Sequence, residues 1–260
     1  MKIATVGDNC IDVYENLNQA FPGGNPVNVA VYLVRLGEKA SYTGCIGDDE
    51  YGKLMINALA DKGVDVSHIQ TLQGNTAITK VELIDGERVF GDYFEGVLSK
   101  FKLTEEDIDF LCQHDLVHTG LWGMIENDLW KIKEKGTPIS FDFATKLNDP
   151  IIEKAISSVD YAFFAYEQDD DFIREFMKNM YAKGPKLIIV TLGEYGSLVY
   201  DGHKFTKYGI VPVDVVDTMG AGDSFIAGFM KGILEKKGIR ECMHMGAANS
   251  SETLKYTGAW

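Results

Sequence analysis

Apolar residues recur at helical spacing between positions 215 and 234, in the segment VVDTMGAGDSFIAGFMKGIL. They fall on one stripe, which predicts an amphipathic helix. The stripe consists of Phe225, Ile226, Phe229, Met230, Ile233 and Leu234. The first turn of a helix leaves backbone N–H groups without intrahelical partners, and small residues let another group approach them. The run from Gly220 to Gly222 therefore predicts a place for an anion at the start of this helix.

Strand-like apolar runs and helix-like segments alternate along the rest of the chain. KIATVG is typical of a short strand, and NPVNVAVYLVRLG is typical of a helix. Asn25 suits the cap of that helix, Pro26 its first turn and Gly37 its end. This order predicts an α/β fold with a largely parallel central sheet and helices on both faces. We expect residues 1–260 to form a single domain.

Two segments interrupt this order, because no helix separates their strand-like runs. TAITKVELIDGERVFGDYFEG alternates around Asp85-Gly86, a strong hairpin signal. It predicts either a small β flap beside the main sheet or an edge hairpin without a role. SLVYDGHKFTKY predicts a second hairpin, with Asp201-Gly202 at its turn.

The charge of the chain narrows its possible partners. The net charge is −14, from 25 basic and 39 acidic residues. Nucleic-acid binding needs a basic face, so we expect no nucleic-acid partner. The charge is compatible with a nucleotide ligand, because backbone N–H groups and Mg²⁺ can neutralise its phosphates. It is also compatible with a cationic substrate.

Location and metal binding follow from what the sequence does not contain. It has no run of ~18 apolar residues, and its start lacks the features of a signal peptide, so we expect a cytoplasmic protein without a membrane partner. The four cysteines form no C-x-x-C pair and are expected to be reduced. His114 and His118 flank a predicted strand, too far apart to share a metal.

Common phosphate-binding motifs are absent from the sequence, which has neither a P-loop nor a dinucleotide fingerprint. The turn at Gly220–Asp223 is the candidate that remains. Asp223 either caps the helix or stands beside a phosphate that occupies the turn. The pattern alone leaves both interpretations open.

Three further segments place polar residues or glycines at the ends of predicted strands or at the start of a helix. In FPGGNPVNVA, capping explains Asn25 but not Asn28, and both amides suit sugar hydroxyls. In VGDNCIDVY, Asp8 and Asp12 follow a strand, where α/β proteins bind ligands, although a polar turn is an equal alternative. In IIVTLGEYGSLVY, the glycines either admit a nucleoside or make a tight turn.

The pair FPGGNPVNVA and VDTMGAGDSFIAGF resembles the two signature regions of the ribokinase (PfkB) family of sugar kinases. The resemblance covers the whole chain in the right order, with VTLGEYG between the two regions. It implies a ribokinase-like fold and ATP-dependent phosphorylation of a sugar hydroxyl. GDNCIDVY, RVFGDYFEG and YTGAW are further similar to members that act on fructoselysine, a glycated amino acid.

The resemblance assigns roles to individual positions. It implies that Asp223 is the base and that the N–H groups of Gly220, Ala221, Gly222 and Asp223 form an anion hole. The implied sugar contacts are Asp8, Asp12, Gly24, Asn25 and Asn28. The implied ATP contacts are Thr191, Gly193, Glu194, Gly196 and Asn249.

The resemblance also implies a lid and a cation. Segments of about 10–21 and 76–97 match a β lid that covers the sugar and mediates a homodimer. Asp217 and Thr218 lie where many relatives bind a monovalent cation such as K⁺. For a glycated amino acid, Asp92 and Glu95 at the lid's exit would face the substrate's cation, or they are solvated flap charges.

One element of the family departs from its usual pattern. Many relatives have N-x-x-E after a central strand, tied to Mg²⁺ and phosphate. Here FFAYEQDD puts Ala165 and Gln168 at those positions, leaving Glu167 or Asp169 as replacements. We therefore expect Mg²⁺ dependence without a named protein ligand. Alternatives are a kinase for fructose, ribose or a nucleoside, a non-catalytic sensor of sugar or nucleotide, and an oxidoreductase.

Overall fold

The computed structural model describes residues 1–84 and 87–260. In chain order its strands are β1 (Lys2–Val6), β2 (Cys10–Tyr14), β3 (Gln19–Gly23), β4 (Lys39–Gly47), β5 (Asp65–Leu72), β6 (Ile78–Ile84), β7 (Glu87–Phe94), β8 (Leu116–Gly120), β9 (Ile139–Asp142), β10 (Tyr161–Ala165), β11 (Leu187–Thr191), β12 (Ser197–Tyr200) and β13 (Phe205–Tyr208). Nine of them form a central sheet in the order β13-β12-β11-β10-β9-β8-β1-β4-β5. All neighbours pair parallel except β11–β12 and β12–β13. The predicted parallel sheet and the hairpin at its end are confirmed.

In the described part of the chain, six α-helices lie between strands and two follow the last strand. They are α1 (Asn25–Arg35), α2 (Glu50–Asp61), α3 (Glu105–Leu111), α4 (Leu129–Glu134), α5 (Ile151–Ala155), α6 (Asp171–Tyr181), α7 (Ala221–Leu234) and α8 (Ile239–Thr253). In α1, Pro26 occupies the first turn and Gly37 follows the end, as predicted. The expectation that Asn25 caps α1 is wrong, because Gly24 holds the cap position and the Asn25 side chain bonds elsewhere.

The central sheet is buried on both faces because successive side chains of a strand point to opposite sides. Ile3 and Phe163 belong to one apolar cluster, together with buried residues of α1, α2, α7 and α8. Their neighbours Ala4 and Phe164 belong to a second cluster, with buried residues of α3, α4, α5 and α6. The helices therefore cover both faces, as the sequence predicts. In the described ranges no helix is both long and apolar enough to cross a membrane.

A second sheet contains four strands in the order β3-β2-β6-β7. β2 pairs antiparallel with β3 and parallel with β6, and β6 pairs antiparallel with β7. The segments assigned to the lid, about 10–21 and 76–97, contribute to these strands. The hairpin signal at Asp85-Gly86 lies outside the described residues.

Candidate active site

Three carboxyl groups meet at the carboxyl ends of the parallel strands. Asp8 follows β1, Asp142 is the last residue of β9, and Asp223 lies in the first turn of α7. Parallel strands that adjoin or lie close in one sheet bring their ends to the same edge, where α/β proteins bind ligands. Electrostatic interaction with Asp223 reaches both other carboxyl groups, so the three form one charged cluster.

Two asparagines of α1 hold the carboxyl group of Asp223. Asn25 Nδ2 donates to Asp223 Oδ1 at 2.7 Å, and Asn28 Nδ2 donates to Asp223 Oδ2 at 2.8 Å. Asn25 Nδ2 also donates to Asp142 Oδ2 at 3.0 Å. Asn25 and Asn28 lie one turn apart at the start of α1, so both reach the same group. The two amides thus fix both oxygens of Asp223.

The pKa values in the cluster follow from this environment. Burial raises the pKa of Asp223 to about 6, and the hydrogen bonds from Asn28 and Asn25 oppose that rise. Burial, reinforced by the charge of Asp223, raises the pKa of Asp142 to about 7 and that of Asp8 to about 7. The two amide donors favour the ionised form of Asp223, which suits a general base near neutral pH.

Two ring N–H donors lie behind the asparagines. His118 Nε2 lies 3.0 Å from Asn25 Oδ1, and its Nδ1 lies 3.0 Å from Ser140 Oγ. Trp260 Nε1 donates to Asn28 Oδ1 at 2.8 Å. Burial lowers the pKa of His118 to about 3, so its ring is neutral at physiological pH. Each asparagine is thus held at its oxygen as well as at its nitrogen.

The start of α7 is the segment predicted to form an anion hole. Gly220 caps the helix with φ +71°, and a Cβ there would lie 2.1 Å from the hydroxyl oxygen of Tyr32. A Cβ on Gly222 would meet nothing within 4 Å, so its backbone faces open space. The N–H of Ala221 is engaged, since it donates to the Thr218 carbonyl at 3.3 Å. The backbone around Gly222 and Asp223 is accordingly the part of the turn that an anion can approach.

A cavity of about 330 Å³ adjoins this turn. Ala221 and Gly222 form part of its wall, together with four of the predicted ATP contacts. These four are Thr191, Gly193, Glu194 and Gly196. Apolar side chains, among them Ile210 and Leu254, complete a surface suited to a flat base.

The fifth predicted ATP contact occupies a different environment. Asn249 is 5 % exposed; its Oδ1 accepts from Arg35 at 2.7 Å, and its Nδ2 donates to the Ser224 carbonyl at 2.7 Å. These bonds join α8 to α1 and α7. Asn249 therefore supports the start of α7 from behind.

The two residues predicted to bind a cation, Asp217 and Thr218, have different surroundings. Thr218 lines the cavity. Asp217 accepts from the N–H of Met219 at 3.1 Å and from the N–H of Gly258 at 2.8 Å. Its carboxylate thus connects the loop before α7 to the segment that ends in Trp260.

The remaining predicted sugar contacts lie on and beside the small sheet. Asp12 is half-buried on β2, where it pairs with Phe21 of β3, and a Cβ on Gly23 would lie 3.6 Å from its Oδ2. Gly24 has φ +110°, and a Cβ there would lie 2.8 Å from Asn9 Cα. Asp92 is exposed on β7, and Glu95 is half-buried just after it.

An ion pair follows the segment after β10 that departs from the N-x-x-E pattern. Ala165 ends β10, and the Gln168 amide donates to Asp170 at 3.1 Å. Arg174 binds Asp169 at 2.7 Å, and its hydrogen bond is the main cause that lowers the pKa of that carboxyl. Glu167 is exposed.

Sequence reasoning missed Asp142, His118 and Trp260. Asp142 is the next-to-last residue of the strand-like segment PISFDF, so the rule that ligands bind at carboxyl ends of parallel strands would have pointed to it. His118 lies inside an apolar strand and Trp260 lies far along the chain, so no local pattern connects either one with α1.

The family of the chain follows from comparison with known proteins. Residues 3–260 match the model of the pfkB family carbohydrate kinases. A fructoselysine 6-kinase of Shigella flexneri is 46% identical over 258 residues, 99% of each chain. A fructosamine kinase of Bacillus subtilis is 34% identical, with 100% of this chain and 93% of that protein covered. The chain therefore belongs to the pfkB family of carbohydrate kinases, and its activity is ATP-dependent phosphorylation of a sugar.

Solved structures show the same fold. A ribokinase of Arabidopsis thaliana, solved with ribose and ATP, superimposes with a TM-score of 0.89 at 23% identity. The match covers 99% of this chain and 93% of that chain. The ribokinase-like fold expected from the sequence is thereby confirmed.

Proposed function

We propose that this member of the pfkB family phosphorylates the 6-hydroxyl of fructoselysine, with Asp223 as the base. The substrate rests on the 46% identity over 258 residues to a fructoselysine 6-kinase. The mechanism rests on one observation: two amides fix both oxygens of a carboxylate in the first turn of α7.

Asp223 takes the proton of the attacking hydroxyl. At pH 7 the carboxylate is mostly ionised, because its pKa of about 6 lies below that pH. The hydroxyl O–H bond breaks, a new O–P bond forms to the γ-phosphorus of ATP, and the bond to the β-phosphate oxygen breaks to release ADP. General base catalysis of this kind contributes ~10²–10⁴-fold in rate.

The start of α7 receives the charge of the transferring phosphoryl group. The N–H groups of Gly222 and Asp223 lie at the positive end of the α7 dipole, and oriented donors of this kind contribute ~10²–10³-fold each. Gly220 and Ala221 shape the turn that presents them. No P-loop lysine is present in the sequence, so these backbone donors have a larger share of the task.

The cavity beside α7 fits ATP. Its volume of about 330 Å³ suits a ligand of the size of ATP. Gly196, with φ +88°, contributes backbone to the cavity wall. Thr191, Gly193 and Glu194 would hold the nucleoside in the same cavity. ATP supplies the phosphoryl group and Mg²⁺ neutralises its charge when bound; we assign no protein ligand to Mg²⁺. Activation by K⁺ through Asp217 and Thr218 is testable by replacing K⁺ with tetramethylammonium.

The sugar would lie between the carboxyl cluster and the small sheet. Asp8 Oδ1 is buried and has no protein partner among the described residues, so a substrate hydroxyl would satisfy it. Asp12 and Gly24 border the same region from β2 and the start of α1. The pair Asn25 and Asn28 would contact hydroxyls while holding Asp223.

We propose that the small sheet closes over the sugar and joins two copies of the chain in a homodimer. Its exposed apolar side chains support this role, because burying them in a second copy removes apolar surface from water. They are Phe21, Val89, Tyr93 and Phe94 on its strands and Leu17 in the segment between β2 and β3, each 45% to 52% exposed. Sedimentation of the wild-type chain against a Phe21→Ser, Tyr93→Ser double variant tests the dimer.

Asp92 and Glu95 are proposed to face the amine of the substrate. Both are acidic and lie at the end of β7. Asp92→Asn combined with Glu95→Gln should raise the KM for fructoselysine and leave the KM for fructose unchanged. Equal KM values for fructoselysine in variant and wild type would assign these charges to the solvated surface.

The decisive experiment measures ADP release with Mg-ATP and a panel of fructoselysine, fructose, ribose and adenosine. Fructoselysine should give the highest kcat/KM, and Asp223→Asn should lower it at least ~10²-fold while ATP still binds. Phosphorus NMR of the product identifies the hydroxyl that is modified. Turnover of another sugar alone would refute the substrate, and full activity of Asp223→Asn would refute the base.

A further inference from the structure

The two amides that hold Asp223 share an unusual arrangement. Each donates from Nδ2 to one oxygen of Asp223, and each has its Oδ1 beside a ring nitrogen. The ring belongs to His118 for Asn25 and to Trp260 for Asn28, at 3.0 Å and 2.8 Å. Within the described residues, neither ring forms a hydrogen bond with the carboxylate itself.

These contacts determine which way each amide faces. An asparagine amide has a donor side and an acceptor side, and a half-turn exchanges them. If the amide turned its oxygen toward Asp223, two hydrogen-bond acceptors, the amide oxygen and the carboxylate oxygen, would face each other. The indole N–H of Trp260 can only donate a hydrogen bond. It therefore favours the orientation of Asn28 in which the amide oxygen faces the indole, and it disfavours the reverse orientation.

His118 imposes the same constraint on Asn25. The amide oxygen of Asn25 faces Nε2, so that nitrogen must carry the proton. Nδ1 then accepts from Ser140 Oγ at 3.0 Å. His118 is 0% exposed and burial keeps it neutral, so a single tautomer satisfies both contacts.

We propose that His118 and Trp260 are positioning residues for the base: their ring N–H groups keep both asparagine amides turned so that Nδ2 donates to Asp223. The inference rests on the proposed role of Asp223. Both residues act through an asparagine, so neither is a catalytic residue. Their contribution is to orient the carboxylate and to favour its ionised form, because donors stabilise the anion.

The proposal predicts a displaced pH profile. Besides the two amides, Asp223 faces Asp8 after β1, Asp142 on β9 and Tyr32 on α1, none of which the variants below alter. A carboxylate that loses one of two or three donors gains about one pKa unit. A move of the acid limb from about pH 6 to about pH 7 lowers kcat/KM about fivefold at pH 6 and hardly at all at pH 8.

Trp260→Phe is the first test, because it keeps an aromatic ring and removes the N–H. Its matched control is Trp130→Phe, at a side chain 51% exposed on α4. Both are assayed from pH 5 to pH 9 on the sugar that the wild type turns over best. We expect the acid limb of Trp260→Phe to move up by about one pH unit and that of the control to stay. An equal loss at every pH would mean a packing role only and would overturn the proposal for Trp260.

His118 is tested by a pair of variants. His118→Gln keeps an N–H near Nε2 and should retain the wild-type profile, whereas His118→Leu should show the same upward displacement. Thermal unfolding of each variant identifies a folding defect, and the Gln variant keeps the test valid if the Leu variant fails to fold. An unshifted acid limb in folded His118→Leu, or a shifted limb in His118→Gln, would overturn the proposal for His118. A wild type without kinase activity would instead refute the proposed function.

Discussion

Replacing Asp8 by asparagine should stabilise the fold, and the gain should grow with pH. Asp8 is 8% exposed, and its Oδ1 is buried with no protein partner among the described residues. Burial, together with the charge of Asp223, raises the pKa of Asp8 from 3.8 to about 7. An asparagine side chain has the same shape but no charge, and its amide oxygen can still accept a hydrogen bond from backbone N–H groups.

The sign follows from the direction of the shift. A carboxyl group with a raised folded-state pKa binds its proton more tightly in the folded state, so its stabilising effect is complete below pH 3.8 and lost as pH rises through about 7. The difference between the two values corresponds to about 4 kcal/mol, since one pKa unit equals about 1.36 kcal/mol. About 2 kcal/mol of this is already lost at pH 5. The advantage of Asp8→Asn should therefore grow by about 2–3 kcal/mol between pH 5 and pH 8.

Urea unfolding at pH 5 and pH 8 measures this change in the free energy of unfolding directly. Asp61→Asn, at an exposed carboxyl group on α2, is the matched control and should show no comparable growth. The same Asp8→Asn protein should have a lower kcat/KM for the sugar, because Asp8 is proposed to bind a hydroxyl. If Asp8→Asn stabilised the fold by the same amount at pH 5 and pH 8, the reasoning would be refuted. Desolvation of the ionised Asp8 carboxylate would then not be what destabilises the wild type.

Further predictions concern the base and the ATP cavity. As the proposed base, Asp223 would act in its ionised form, so kcat/KM should fall toward tenfold per pH unit below its pKa of about 6, and a flat profile from pH 7 to pH 5 would argue against the base. Gly196→Ala should raise the KM for ATP at least ~tenfold, because φ is +88° and the new Cβ would lie 2.1 Å from the Tyr208 carbonyl oxygen. Gly193→Ala, at φ +55° with nothing within 4 Å, should have a smaller effect in the same ATP titration.

The sequence predicts those parts of the fold that depend on near neighbours. The apolar stripe of α7 and the turn at Asp201-Gly202 depend on residues a few positions apart, and both occur where expected. The cap of α1 was predicted wrongly for the opposite reason. Asn25 has a local use as a cap, but Asp223, 198 positions away, offers its amide a charged acceptor. A charge-assisted bond is stronger than a neutral one, so the distant partner determines its conformation.

The residues of the candidate site also fall into two groups: those that a local motif reveals and those that only the folded chain brings together. Glycines and polar residues next to the ends of strands were recognisable, since Asp8, Gly193 and Gly222 stand in short motifs. Asp142 has no motif around it; its importance comes from β9 lying between β8 and β10 in the sheet. His118 and Trp260 depend on bonds to Asn25 and Asn28 across 93 and 232 positions. Such contacts require the folded chain.

The arrangement around Asp223, the proposed base, is compatible with a carboxylate that is held firmly and still accepts a proton. Its two oxygens offer about four acceptor positions, and the two amides use one on each oxygen. A substrate hydroxyl can therefore donate to Asp223 without displacing either Asn25 or Asn28. The amides also oppose the rise in pKa that burial causes, so the carboxylate stays ionised at pH 7 in a site that also contains Asp8 and Asp142. The site thus combines a desolvated base, which is reactive, with fixed donors, which keep it charged and oriented.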